Sequence, residues 1–148
     1  MPEIIENRDF LSLLSETFSR GGTLNFTPHG TSMRPLLNGT SDLVTLEKAP
    51  ADLKKYDVVL YRRDNGTLVL HRIVRCDDDG SFTMMGDNQI TLEKGIRRDQ
   101  ISARMCAYKK GEREYTLSAA SYRFYCRAHL FRQLIKRRLS IIYHRLMK

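Results

Sequence analysis

A mainly β fold, with a short helix at its N-terminal end and a longer one at its C-terminal end, is what the sequence predicts, on three observations. Between residues 23 and 118, short runs of apolar, β-branched and aromatic residues are separated by clusters of Gly, Asp, Asn and Pro. Two of these runs flank Asp64-Asn65-Gly66, a strong hairpin signal. At both ends the apolar period becomes helical: Phe10, Leu13, Leu14 and Phe18 at one, and Phe124, Ala128, Phe131, Ile135, Leu139, Ile142 and Leu146 at the other. The chain therefore divides into an N-terminal helix (1–22), a β core (23–118) and a basic C-terminal helix (119–148), within one domain.

In order along the chain, Asp9 to Arg20 reads as an amphipathic helix stopped by Gly21-Gly22, since glycine accepts the left-handed backbone that ends a helix. Thr23 to Thr27 alternates as a strand and leads through Pro28-His29 into Gly30-Thr31-Ser32-Met33-Arg34-Pro35, with one helical turn expected over Met33 to Leu37. Asn38 to Asp42 is a loop by composition, Leu43 to Leu46 a strand, and the charged, proline-containing Glu47 to Tyr56 a surface loop. Asp57 to Arg62 and Leu68 to Val74 form the hairpin, Ser81 to Met85 a further strand ending at Gly86-Asp87-Asn88, and Ile90 to Gln100 is mixed and charged. Ile101 to Tyr108 and Tyr115 to Leu117 close the sheet around the turn at Lys109 to Glu112. Asp77-Asp78-Asp79-Gly80 is read as a solvated turn, not a calcium loop, because the downstream ligand pattern is missing.

At 148 residues the chain can bury a core without staples, and its 41% hydrophobic and 28% charged content is that of a globular protein. Cys76, Cys106 and Cys126 match neither a disulfide framework nor a zinc site and read as reduced thiols. Met1 to Arg8 shows no signal-peptide pattern and no apolar run is long enough to span a bilayer, so the expectation is a cytoplasmic protein, with peripheral membrane association as an option. The net charge of +8 comes from one place: Ala119 to Lys148 carries eight cations and no Asp or Glu.

Ser32 is presented by its turn. Gly30 can take backbone angles closed to other residues, and Pro35 biases Arg34 away from helix. A serine needs a base to become a nucleophile, and His71 lies on an apolar strand; Asp87, at a strand end, supplies a carboxylate. Serine, histidine and aspartate in such an arrangement are the parts of an acyl-transfer site, with the histidine as base near its ordinary value of about 6.5. The Ser32 N–H is the natural oxyanion donor, and Gly30 and Met33 are the neighbouring candidates for positioning substrate. Glu93 is a rival for the acidic role, His29 is read as structural or substrate-facing, and Arg72 as the partner in a surface or sheet-edge ion pair. No cofactor or metal is implied.

Gly30-Thr31-Ser32-Met33-Arg34-Pro35, Asp57-Val58-Val59, His71-Arg72-Ile73-Val74 and Gly86-Asp87-Asn88 together resemble the superfamily that joins type I signal peptidases to the self-cleaving repressor peptidases of the SOS response. The resemblance spans Phe26 to about Ala107 and implies a coiled, partly barrel-like sheet. It also implies a serine endopeptidase with Ser32 as nucleophile, His71 in the place of the lysine of bacterial enzymes, as in the endoplasmic-reticulum and archaeal type, and Asp87 as its acidic partner. Gly30 stands where signal peptidases often have a second serine, a detail closer to the repressor type. Alternatives are a catalytically inactive peptide-binding relative, or a regulatory protein acting through nucleic acid or a partner. For the C-terminal helix three readings stay open: its apolar stripe packs on the sheet, it lies on an anionic membrane surface, or its cations meet nucleic acid.

Overall fold

The structure, a computed structural model, describes residues 7–39 and 41–148. The signal-peptide reading over Met1 to Arg8 thus falls largely outside the described residues, as does Thr40 in the loop at Asn38 to Asp42. Helix α1 (Asn7–Ser19) ends as its glycines require, with the N–H groups of Gly21 and Gly22 bonded to the carbonyls of Phe18 and Thr17 and Gly21 at φ +74°. Eight strands follow: β1 (Leu24–Phe26), β2 (Leu43–Lys48), β3 (Val58–Arg62), β4 (Leu68–Cys76), β5 (Phe82–Met85), β6 (Glu93–Ile96), β7 (Ile101–Lys110) and β8 (Arg113–Thr116). Helix α2 (Ala120–Leu146) closes the chain, and among the described residues no helix is long and apolar enough to cross a membrane.

The strands form one antiparallel sheet in the order β1-β2-β7-β3-β4-β5-β6, with β8 added to β7. The sheet is open. Strand β7 is its spine: β2 pairs along most of it, β3 pairs with its start (Val59 opposite Arg104), and β8 pairs with its end (Ala107 opposite Thr116). Register shifts at Thr45/Leu46, Leu60/Tyr61 and Ile73/Arg75 mark irregularities of the bulge type, which bend and twist strands locally.

Both faces of the central strands are covered, and the period of two divides their side chains between two cores. Val58 and Leu60 of β3 and Leu70 of β4 join Leu14, Leu37, Val44 and Met105 on one face, where Phe10 and Phe18 of α1 also pack. Val59, Tyr61, Val69 and Ile73 join Phe82, Met84, Ile96 and Ile101 on the other. The same alternation sends the neighbours His71 and Arg72 to opposite faces, and that parity decides what each can do.

Two points left undecided by the sequence are decided by the structure. The mixed, charged segment from Ile90 to Gln100 contains β6, a strand held at the sheet edge by pairing with β5 (Met84 opposite Glu93). The apolar stripe of the C-terminal helix does not pack on the sheet. The side of α2 that docks carries Tyr122, Cys126, Leu130 and Gln133, whereas Phe124, Phe131, Leu139 and Leu146 are 74, 67, 60 and 80% exposed.

Candidate active site

The serine turn is pinned from below and from the side. Met33, Leu36 and Leu37 are buried in the core, and the Leu37 N–H bonds the Met33 carbonyl at 3.0 Å across a tight turn that contains a cis Arg34–Pro35 bond; the helical turn expected over Met33 to Leu37 is a non-helical one. Gly30 has φ +94°, and a Cβ at Gly39 would lie 1.9 Å from the Gly30 carbonyl oxygen, so the loop can fold over its own start only with glycine there. Laterally, the Asn88 N–H donates to the Ser32 carbonyl at 2.8 Å. A Cβ on Gly86 would come within 2.6 Å of that same oxygen. The serine and Gly-Asp-Asn turns, more than fifty residues apart in the chain, are thus in direct backbone contact. Gly86→Ala should push the serine turn outward, at a cost of about 1–3 kcal/mol by overpacking, read from urea denaturation of a protein whose circular dichroism stays native.

Ser32 and His71 line one cavity of about 250 Å³, together with Pro28, His29, Gly30, Met33, Arg63 and Gln89. No hydrogen bond joins Ser32 to His71 among the described residues. The Ser32 N–H likewise donates to no acceptor there, which leaves it free for an oxyanion. A second, more open cavity continues past His71 along Asn88, Gln89, Ile90 and Glu93, so the imidazole stands between two stretches of groove.

His71 is only 3% exposed and faces the same side as Tyr61, its diagonal neighbour across the β3–β4 pair, where Val59 is opposite His71 and Tyr61 opposite Val69. Its Nδ1 lies 3.2 Å from the Tyr61 hydroxyl, which itself donates to Glu93 Oε1 at 2.9 Å. Arg63 holds that carboxylate from the far side through Nε at 2.8 Å. Tyr61 has one proton and gives it to Glu93, so its oxygen accepts from Nδ1–H, and Nε2 is left with its lone pair. Since no buried side-chain nitrogen or oxygen lacks a partner among the described residues, the unbonded Nε2 reaches open space in the groove. Burial, followed by the Glu93 charge, raises the Tyr61 hydroxyl far above its ordinary value, so it stays a donor. Burial pushes the His71 imidazole down to about 4, aided by the Arg63 guanidinium and opposed by the Glu93 and Asp87 carboxylates.

Asp87 is differently employed. The bond expected from it to His71 is absent among the described residues, because Arg72 Nε and Nη2 donate to its two oxygens at 2.8 Å each and the Tyr125 hydroxyl adds a third bond at 2.9 Å. The cause is strand parity: Arg72 shares Asp87's face and His71 does not. Arg72 is not at the surface or a sheet edge, as the sequence suggested, but 2% exposed, with Nη1 reaching the Tyr56 carbonyl, the Tyr122 hydroxyl and Cys126 Sγ at 2.8, 3.3 and 3.1 Å. The Asp87 carbonyl takes Gln133 Nε2 at 2.5 Å and bonds His129 Nε2 at 2.6 Å. Asp87 is therefore the socket into which α2 docks.

The acidic group coupled to His71 is Glu93, the rival to Asp87 in the sequence. Tyr61, the link between them, carries no sequence signal of its own beyond its place on a strand beside the histidine strand. Comparison with protein-family models, curated proteins and solved structures gives no match for this chain.

Proposed function

We propose that the chain is a serine endopeptidase of the signal-peptidase-like class, cleaving an extended peptide or leader segment by a Ser/His mechanism. The observation that carries this reading is the shared groove: Ser32 with a free N–H, and His71 with its Nδ1 engaged and Nε2 open. In the reaction, Ser32 Oγ attacks a peptide carbonyl as His71 Nε2 takes its proton, and the imidazolium returns that proton to the leaving amine. The Ser32 N–H holds the oxyanion. The Glu93 carboxylate, acting through Tyr61, favours the charged imidazole and fixes its ring, the role expected of Asp87. The substrate lies extended along the groove on either side of His71, with Gly30 and Met33 setting its approach to the serine. The reading also takes the sheet as coiled around this groove and α2 as a basic amphipathic helix.

Ser32 and His71 stand without a mutual bond, which favours one second reading: an inactive relative that holds peptide in the groove without cutting it. Intact-mass labelling with a small fluorophosphonate separates the two. The wild type should gain one label, Ser32→Ala none, and His71→Ala should react about 10²- to 10⁴-fold more slowly. Tyr61→Phe should retain labelling at a reduced rate with a displaced pH profile. A folded wild type that stays unlabelled while binding peptide would overturn the peptidase and leave the binding module.

A further inference from the structure

We infer that α2 seats this protein on an anionic lipid surface through the side of the helix that faces away from the sheet. At about 100° per residue, Tyr122, Tyr125, Cys126, His129, Leu130 and Gln133 fall on one side, the side that docks on Arg72, Asp87 and the core. Phe124, Phe131, Ile135, Leu139, Ile142 and Leu146 fall on the opposite side, and all six are exposed. Their line runs the length of the helix, about 33 Å at 1.5 Å per residue. Past Gln133 no residue of α2 is buried, so this half touches water on every side.

The charges name the occupant. Arg127, Arg138 and Arg145 border the apolar line on one flank and Arg132 and Lys136 on the other, and no acid lies between Ala119 and Lys148. A second copy laid on the same line would bring cation rows against cation rows with no carboxylate to relieve them. Nucleic acid would satisfy the cations but leave two phenylalanines and four aliphatic side chains in water. An anionic bilayer surface satisfies both: the apolar line enters the acyl boundary and the flanking cations stay among the headgroups. Because the docked and exposed sides are opposite, the helix can lie on lipid without leaving Asp87. The inference is independent of whether Ser32 is reactive.

The test is flotation of the full chain with vesicles of phosphatidylcholine alone and of phosphatidylcholine with phosphatidylglycerol, at low and high salt. The wild type should float with the anionic vesicles, more weakly as salt rises, and partition at least about tenfold less onto the neutral ones. Leu139→Glu/Ile142→Glu, which alters only exposed positions, should melt as the wild type does and lose at least about tenfold in partition. Arg138→Gln and Arg145→Gln should each cost about fivefold. Absence of flotation, or equal flotation of the glutamate variant, overturns the inference. So does a dimer in sedimentation equilibrium that the glutamate variant dissociates, or retention on duplex DNA that outcompetes vesicles and survives that substitution.

Discussion

Asp87→Ala should lower the free energy of unfolding by about 3–5 kcal/mol, read from urea denaturation at neutral pH. The loss follows from what remains: the Arg72 guanidinium, 2% exposed, would keep its charge and lose both carboxylate oxygens while still walled in by Tyr122 and Cys126. Desolvation of an unpaired ion outweighs any other single contact in this core. Removing both charges, as in Arg72→Met/Asp87→Leu, should recover much of the stability, because a buried pair owes its effect to mutual dependence more than to net attraction. The single change should also expose α2 to trypsin at Arg123 and Arg127. A cost below about 1 kcal/mol, the magnitude of a surface ion pair, would mean that the socket does not hold the helix.

Acid should destabilise the protein through His71. The folded imidazole titrates at about 4 and the unfolded one near 6.5, so between those values the unfolded chain binds more protons. The contribution is fully present above about pH 6.5 and is lost as pH falls towards 4, amounting to about 3 kcal/mol across the window. Urea midpoints measured from pH 7 to 4.5 should fall steeply in the wild type and far less in His71→Phe, once the shared titration of carboxylates is subtracted. The same shift bears on reactivity: Ser32 labelling should inflect near pH 4 instead of near 6.5. An inflection at the ordinary histidine value would show that burial does not depress the imidazole.

The elements were legible where local chemistry governs them. Gly21-Gly22 ended α1, Asp64-Asn65-Gly66 turned the hairpin with Gly66 at φ +90°, and the runs around Val59, Leu70 and Met84 became strands because each supplies two buried faces. What escaped depends on partners far along the chain. Glu93 and Tyr61, 32 residues apart, are joined only by the sheet order β3-β4-β5-β6. His71 and Arg72 both sit on a buried strand, but one residue of parity assigns the first to Tyr61 and the second to Asp87, and no single-strand pattern says which core is which. For α2 the hydrophobic period pointed to the aliphatic line, whereas the face that docks was chosen by a polar complement, the Arg72–Asp87 pair and the Asp87 carbonyl. Hydropathy could not have found it.

The spine position of β7 has a consequence for the order in which a chain emerging from the ribosome can assemble the groove that holds Ser32 and His71. Ser32 precedes β2, and β2 finds its inner sheet partner only in β7, with Val44 opposite Tyr108. The Gly86-Asp87-Asn88 turn that grips the Ser32 carbonyl is itself fastened by Gln133. A nascent chain that already contains Ser32 and His71 therefore lacks the strand and the helix that hold them in register. Pairings of such wide sequence separation form late in folding, so the Ser32 turn is translated early and assembled near the end. A growing polypeptide in this way holds the Ser32 turn loose until the sheet that confines it exists.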